Sequence, residues 1–278
     1  MSRLPIGEVV CGDALAVMAS LPDGCLDCVF VDPPYGHNNN NNGDMIARRE
    51  AIYGGGPVLE TDWRPIANDG PEANDLFRAC LPEFARLLQP GCCCCCCCGG
   101  GGGPDPQFAR WSMWIHEQKG LDFKQMVVWD KGPMGMGHHY RRSYETVLVS
   151  QVPGAACRWY DETNSVENII RPGRGIPKII PAAEQHPTEK PVSLAAHFIR
   201  LHTRPGDVVL DCFAGSGSTL EACIREGRQF IGVELDPHWA QVARARVAAA
   251  LAQPRLPLDA PREKRKPPPP LWEEPESA

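Results

Sequence analysis

The pattern that most constrains the fold lies towards the carboxyl end, where short apolar runs alternate with helical periodicity. Apolar residues at 208–210 predict a strand, a glycine-rich turn follows, and residues 218–226 have the spacing of a helix. A second strand is predicted at 230–233 and a second helix at 238–251. Strand, tight glycine turn, helix and strand in this order are typical of a Rossmann-like parallel α/β sheet, which we therefore predict.

The amino-terminal part of the chain repeats this alternation. The predicted strands lie at 8–11, 28–31, 125–129 and 144–150, and the predicted helices at 14–18, 72–88 and 108–118. A run of cysteines at 92–98 occupies the position of a further strand. We expect one main domain, with helices on both faces of a mostly parallel sheet and a modest insertion.

Composition divides the chain into four segments. Residues 1–153 and 186–252 carry the alternating pattern, whereas periodicity fades across 154–185. The basic residues of that irregular stretch are Arg158, Arg171, Arg174 and Lys178. Residues 253–278 are rich in proline and charge, with four consecutive prolines, and are predicted to form a disordered tail.

Net charge and hydropathy bound the partners and the location of the protein. The 278 residues carry a formal net charge of −6, so contact with nucleic acid would have to use local basic patches. No apolar run approaches the roughly 18 residues that cross a bilayer, and the amino terminus lacks a secretory profile. We therefore expect a cytoplasmic protein without membrane contact.

Three homopolymer runs interrupt the sequence. Seven of the fourteen cysteines form the run at 92–98, glycines fill 99–103, and asparagines fill 38–42. Contiguous cysteines lack the two-residue gaps with which cysteine pairs chelate zinc, so we predict neither a metal site nor a disulfide there. The runs have the form of placeholder residues, and we assign no function to them.

The glycine-rich turn at 211–219 is the first candidate ligand site. Gly215 and Gly217 let the backbone approach a ligand that a Cβ atom would exclude. Glu234 ends the next strand, 17 residues after Gly217, where a carboxylate can accept hydrogen bonds from both ribose hydroxyls of an adenosine cofactor. A simple turn, a nicotinamide dinucleotide site and, for Glu234, a solvated charge or helix cap are the alternatives.

A second candidate site follows the strand at 28–31, where the chain enters Asp32, Pro33, Pro34 and Tyr35. The two prolines fix φ and make a rigid corner rich in hydrogen-bond acceptors. An exocyclic amine becomes nucleophilic when its hydrogens are accepted, which Asp32 and the Pro33 carbonyl could do. Tyr35 could stack on a base that has left its duplex. This chemistry needs no metal and no covalent nucleophile, and an ordinary proline turn is the alternative.

The two motifs together resemble those of the DNA amino-methyltransferases, specifically the permuted beta group in which Asp-Pro-Pro-Tyr precedes the cofactor turn. The resemblance covers residues 9–251 and includes the His-Pro-Thr-Glu-Lys-Pro segment at 186–191. It implies a Rossmann-like S-adenosylmethionine-dependent methyltransferase fold with circularly permuted motif order and a seven-stranded sheet. Residues 1–153 would then form the catalytic half with the target-base pocket, and residues 186–252 the cofactor-binding half.

The resemblance also implies which residues surround S-adenosyl-L-methionine. The implied cofactor-binding residues are Asp13, Thr188, Lys190, Asp211, Phe213, Gly215, Ser216, Gly217 and Glu234. Residues of the turn line the methionine end, Asp13 approaches the adenine, and Glu234 binds the ribose. Thr188 and Lys190 help to enclose the cofactor. Asp13 is equally a candidate N-cap for the helix that follows it, and Thr188 with Lys190 could form a solvated loop.

Basic residues supply the candidate contacts with double-stranded DNA. By the resemblance, residues 154–185 form a target-recognition insertion, and residues 129–133 line the target-base pocket. Arginine side chains suit phosphates and guanine edges. The candidate DNA-binding residues are Arg141, Arg142, Arg158, Arg171, Arg174 and Lys178. A solvated surface loop is the alternative for the insertion, and Trp129 is equally suited to the core.

We therefore predict a site-specific DNA methyltransferase that acts on the N6 amine of adenine, because adenine-specific members of the group usually carry aspartate in the corner. The alternatives are a cytosine N4 methyltransferase, an RNA or protein-amide methyltransferase, and a module that binds DNA without catalysis. A nicotinamide-dependent dehydrogenase fits less well, because the third glycine of its fingerprint is absent. The sequence leaves monomer and homodimer open.

Overall fold

The computed structural model describes residues 3–36, 69–70, 72–98, 107–132, 143–163, 165–171 and 189–253. Some of the predictions fall outside these ranges and stay predictions. They concern Thr188, Arg141, Arg142, Arg174 and Lys178, the asparagine and glycine runs, and the tail beyond residue 253. Within the described ranges, no helix is long and apolar enough to cross a membrane.

Strands and helices alternate along most of the described chain, as the sequence predicts, but three strands follow one another between residues 122 and 170. The strands are β1 (Glu8–Cys11), β2 (Leu26–Val31), β3 (Leu88–Cys98), β4 (Asp122–Asp130), β5 (Tyr144–Gln151), β6 (Ile169–Ile170), β7 (Val208–Asp211) and β8 (Gln229–Glu234). The helices are α1 (Ala14–Ser20), α2 (Ala73–Leu87), α3 (Gln107–Glu117), α4 (Val192–His202), α5 (Ser218–Arg225) and α6 (Pro237–Ala252).

The strands form one eight-stranded sheet in the order β1-β8-β7-β2-β3-β5-β4-β6. Neighbouring strands are parallel except where β5 pairs with β3 and with β4, which confirms a mostly parallel sheet. The predicted count of seven strands is wrong by one. The additional strand, β6, is only two residues long and falls in the irregular stretch, so no apolar periodicity could indicate it.

Helices cover both faces of the sheet, as expected. Helices α4, α5 and α6 contribute to one apolar layer, in which the rings of Phe30 and Phe198 lie 5.6 Å apart. Helices α1, α2 and α3 contribute to the other layer, in which Phe77 and Trp111 stack at 3.8 Å. The cysteine run lies in β3 with its side chains buried, so the strand predicted there is confirmed.

The centre of the sheet determines where the candidate site lies. Strands β2 and β7 are parallel neighbours, with Cys28 opposite Val209 and Val29 opposite Leu210. Parallel neighbours end at the same edge of a sheet, so the chain leaves both strands side by side. The corner that follows β2 and the glycine turn that follows β7 are therefore brought together, although about 180 residues separate them in sequence.

Candidate active site

One cavity at this edge of the sheet contains both sequence motifs. Its lining includes Asp13, Asp32, Pro33, Pro34, Tyr35, Lys190, Asp211, Phe213, Gly215, Ser216 and Glu234. The two turns thus face a shared space rather than opposite sides of the sheet. This juxtaposition is the arrangement that an amine-methylating site requires, because the nucleophile and the methyl donor must meet in one pocket.

The glycine turn is held by the end of the neighbouring strand. Glu234 accepts hydrogen bonds from the backbone N–H of Gly215 at 2.7 Å and of Asp236 at 2.9 Å. Burial raises the pKa of Glu234, while these backbone hydrogen bonds act in the opposite direction. Gly217 has φ +84°, and a Cβ atom there would lie 3.1 Å from Cα and Cβ of Ala243. Only glycine fits this turn against α6.

Asp211 lies at the bottom of the turn with 2% of its surface exposed. Its Oδ1 accepts a hydrogen bond from the backbone N–H of Phe213 at 3.1 Å. Burial raises its pKa to about 7, partly offset by hydrogen bonds from Thr219 and Phe213. A carboxylate placed this way is a candidate partner for a cationic ligand group, and it exchanges its proton near neutral pH.

Asp13 caps the amino end of α1, which was one of the two roles that the sequence allowed for it. Its side chain accepts a hydrogen bond from the backbone N–H of Ala16 at 2.9 Å, so it is the N-cap of α1. It also lines the cavity on the side of β1, next to Glu234. The N-cap interpretation is confirmed, and a contact with the cofactor remains compatible with it.

The Asp-Pro-Pro-Tyr corner is tied together by its own side chains. The Tyr35 hydroxyl donates to Oδ1 of Asp32 at 2.6 Å, and Oδ2 of Asp32 lies 2.9 Å from Nζ of Lys190. Burial and the nearby Asp32 charge raise the pKa of Tyr35, so the phenol stays protonated and remains a donor. The Tyr35 ring packs edge-on against Trp111 at 6.1 Å, which fixes its orientation.

Two residues that the sequence did not indicate hold the backbone of this corner. Oδ1 of Asp69 accepts hydrogen bonds from the N–H groups of Tyr35 at 3.0 Å and Gly36 at 2.8 Å. Nε2 of Gln107 donates to the carbonyl of Tyr35 at 2.8 Å. Both side chains are buried. Neither belongs to a recognisable motif, so only the folded arrangement reveals them.

The His-Pro-Thr-Glu-Lys-Pro segment contacts both parts of the site through its two charged residues. Lys190 faces the corner, where its ammonium pairs with Asp32 and lies 3.3 Å from Oε2 of Glu145. Burial alone would lower the pKa of Lys190, but the two carboxylates raise it well above its ordinary value. The sequence assigned Lys190 to the cofactor. In the structure its ammonium pairs with Asp32 and also lines the shared cavity, and its contact with the cofactor stays a prediction.

Glu189, which the sequence did not single out, contacts the glycine turn. Its carboxylate accepts hydrogen bonds from the Ser216 hydroxyl at 2.8 Å and from the Arg246 guanidinium at 2.7 Å. Arg246 also donates a hydrogen bond to the Ser216 hydroxyl at 3.1 Å. Arg246 projects from α6 and is largely buried. These three side chains connect the segment, the turn and the last helix. The charge pattern of α6 did not predict this role.

Of the basic residues that were predicted to contact DNA, the structure describes Arg158 and Arg171, which lie on opposite edges of the sheet. Arg171 follows β6 at the same edge as the cavity, pairs with Asp130 at 2.7 Å and is 75% exposed. Arg158 lies at the other edge, where its guanidinium donates to Asp27 and Gln89 at the starts of β2 and β3. The prediction that Arg158 contacts DNA is therefore not supported by its position, because both of its partners are intramolecular and far from the cavity.

Trp129 and Lys131 lie beside the corner in the segment assigned to the target-base pocket. Trp129 is 9% exposed and belongs to the apolar core, which favours the second of its two interpretations. Nζ of Lys131 lies 5.4 Å above the Trp129 ring and 2.6 Å from Oε1 of Glu145. Glu145 is the second residue of β5, and no motif indicated it. Burial would raise its pKa, but Lys190 and Lys131 together lower it.

The fold and the shared cavity define a nucleotide-cofactor enzyme of the Rossmann-like methyltransferase class. Comparison with protein families identifies the family within this class. The family model N6_N4_Mtase, described as DNA methylase, matches residues 26–245. The chain therefore belongs to the N6_N4_Mtase family of DNA methylases.

Individual relatives agree with this assignment. The chain is 25% identical to DNA adenine methyltransferase YhdJ of Escherichia coli K12 over 270 residues, covering 87% of this chain and 83% of the relative. It is 25% identical to the type II methyltransferase M2.DpnII of Streptococcus pneumoniae over 256 residues, covering 87% and 89%. The putative DNA modification methylase TTHA0409 of Thermus thermophilus, complexed with S-adenosyl-L-methionine, superposes with a TM-score of 0.62 at 26% identity, covering 88% and 96%.

Proposed function

We propose that this protein transfers a methyl group from S-adenosyl-L-methionine to the N6 amine of adenine in double-stranded DNA. The observation that carries the proposal is the cavity shared by the corner after β2 and the glycine turn after β7. Membership of the DNA methylase family supports the reaction class. The relative named as a DNA adenine methyltransferase supports the choice of base.

The residues of the cavity fit S-adenosyl-L-methionine. The backbone of Gly215 lines the cavity without a Cβ atom, and the carboxylates of Asp13 and Glu234 line the side on which an adenosine would lie. The buried Asp211 carboxyl suits the α-ammonium of the methionine end. When bound, the cofactor supplies a sulfonium methyl group with a neutral leaving group. Thr188 is proposed to close the site together with Glu189.

The corner would prepare the amine for attack. Asp32 and the Pro33 carbonyl accept the two amine hydrogens, which directs the nitrogen lone pair towards the methyl group. The adenine must leave the duplex to reach them, and Tyr35 offers a ring on which the base can stack. Asp69 and Gln107 keep this corner rigid by fixing the backbone on both sides of Tyr35.

The DNA is proposed to lie across the edge of the sheet that carries the cavity. Arg171 and Lys131 are exposed there, and Arg141, Arg142, Arg174 and Lys178 are proposed to join them. The insertion at 154–185 would read the target sequence. Arg171, which follows β6, lies on the cavity side, whereas Arg158 bonds to Asp27 and Gln89 at the other edge.

Nucleoside analysis tests this function directly. DNA from cells that express the wild-type protein or the Asp32→Ala variant is digested to nucleosides, separated and weighed by mass spectrometry. We expect N6-methyladenine only with the wild-type protein, in one short sequence context that sequencing can map. N4-methylcytosine instead would assign the protein to the other base, and unmodified DNA would reject the proposal.

A further inference from the structure

The catalytic corner is already occupied in the structure without substrate. Each oxygen of Asp32 has a donor: Oδ1 has the Tyr35 hydroxyl, and Oδ2 has the Lys190 ammonium. Nζ of Lys190 also lies 5.0 Å above the centre of the Tyr35 ring. A base that stacks on Tyr35 and presents its amine to Asp32 would need the space that this ammonium fills.

A second acceptor for the ammonium lies next to the first. The buried Oε2 of Glu145 forms an ion pair with Nζ of Lys190 at 3.3 Å, but it accepts no well-aligned hydrogen bond from any of the described residues. The other oxygen of Glu145 is held by Lys131 at 2.6 Å. Glu145 therefore presents a fixed carboxylate oxygen that a small rotation of the Lys190 side chain would satisfy.

The backbone around Lys190 does not need to move for this rotation. Glu189, the preceding residue, is bound to Ser216 and Arg246, and Pro191, the following residue, is the N-cap of α4. The side chain of Lys190 has four rotatable bonds between this fixed backbone and its ammonium. Movement from one carboxylate to the other is consequently confined to the side chain.

We propose that the Lys190 ammonium occupies the amine position on Asp32 in the base-free enzyme, and that Glu145 is the positioning residue that receives it when the target base enters. The inference rests on the proposed function. Transfer of the ammonium leaves the Asp32 charge available to the amine nitrogen, which becomes positive as the methyl group arrives. Until then the Asp32 charge is paired with the ammonium, and each of the two partly buried carboxylates has a cationic neighbour.

Substitution of the receiving carboxylate tests the proposal. Glu145→Gln keeps the shape but removes the charge, so Lys190 stays on Asp32 and kcat falls by roughly 10- to 100-fold, the equivalent of one charge-assisted hydrogen bond. Affinity for S-adenosyl-L-methionine is unchanged. Lys190→Met removes the competing ammonium, so adding it to Glu145→Gln raises kcat above that of Glu145→Gln alone. Glu83→Gln is the matched control, because this partly buried glutamate pairs with Arg86 away from the cavity.

The rescue by the double variant separates positioning from a structural role. A double variant as slow as Glu145→Gln, or slower, overturns the proposal, as does Glu145→Gln with wild-type kcat. Cofactor binding and thermal unfolding report whether each variant is folded. If Glu145→Gln does not fold, Glu145→Asp takes its place, because the shorter side chain moves the carboxylate away from Nζ of Lys190. Its kcat is then compared with and without Lys190→Met. A wild-type protein that methylates no adenine rejects the proposed function itself, which is a different result.

Discussion

The cofactor turn and the Asp-Pro-Pro-Tyr corner lie side by side but are held in different ways. The turn is fixed mainly within one β7–α5–β8 unit. There, Glu234 accepts a hydrogen bond from the backbone N–H of Gly215, and Asp211 accepts one from the backbone N–H of Phe213. The corner depends on distant segments: Asp69 and Gln107 bond to Tyr35 from 34 and 72 residues away. Cofactor affinity should therefore be a local property, and catalysis a property of the assembled sheet.

Asp32→Ala should separate the two regions most strongly. Without the acceptor carboxylate, methyl transfer should fall by roughly 10²- to 10³-fold or more, since preorganised groups at the reacting atom contribute this much. Affinity for S-adenosyl-L-methionine should be unchanged, because Asp32 acts on the amine. Single-turnover transfer of a labelled methyl group and calorimetric titration measure the two quantities. Retained full turnover would defeat the assignment of Asp32.

Glu234→Ala should have the complementary effect on the other region. It removes the acceptor for two backbone N–H groups and the proposed acceptor for the ribose hydroxyls, so cofactor binding should weaken by about 1–3 kcal/mol. At saturating cofactor, kcat should stay near the wild-type value. Titration with unlabelled cofactor gives the affinity, and Glu226→Ala, on a remote glutamate, serves as the control. If Asp32→Ala and Glu234→Ala lost the same cofactor affinity, the proposed difference between the corner and the turn would be contradicted.

Asp69→Ala tests whether a distant residue fixes the corner. The N–H groups of Tyr35 and Gly36 would lose their acceptor, so we expect about a 10-fold decrease in kcat, the equivalent of one or two buried hydrogen bonds. Asp69→Asn keeps an acceptor oxygen and should recover most of the rate. Steady-state kinetics with varied cofactor would contradict the account if the KM for cofactor changed and kcat did not.

Asp211 predicts a pH-dependent difference in stability. Its pKa is about 7 in the folded protein, above the ordinary value of 3.8, so folding favours the protonated form. The stabilisation from this protonation is complete below the unfolded pKa and is lost as pH rises through about 7. Asp211→Asn stays neutral, so its Tm relative to wild type should rise by a few degrees between pH 5 and pH 8.5. A constant difference across this range would contradict the prediction.

Much of the fold could be predicted because its elements are long and periodic. Strands β7 and β8 with α5 and α6 have clear apolar spacing, and their predicted bounds lie within a residue or two of those observed. Strand β6 could not be predicted, because two residues have no period and pair only through the backbone of β4. The mostly parallel sheet followed from the alternation of elements, whereas its exact strand count did not.

The site was predictable where a motif defines it and not where the fold assembles it. Asp32 is followed by two prolines that mark a rigid corner, and Glu234 ends the strand that follows the glycine turn, 17 residues after Gly217. Glu145 and Arg246 lie in ordinary strand and helix positions, and only the sheet order brings Glu145 to Lys190. Arg158 was predicted to contact DNA from its charge, and the structure shows that this charge pairs with Asp27, so the DNA contact stays a prediction. Charge alone does not tell which edge of a sheet a side chain occupies.

The most direct test of the central claim is a crystal structure with a cofactor analogue and a DNA duplex containing the mapped target site. If the corner after β2 and the turn after β7 form one active site, the target adenine lies outside the duplex, with its N6 beside Asp32 and about 3–3.5 Å from the position of the transferable methyl group. A complex in which the cofactor occupies the glycine turn while the target base binds elsewhere, out of reach of Asp32, would contradict the account.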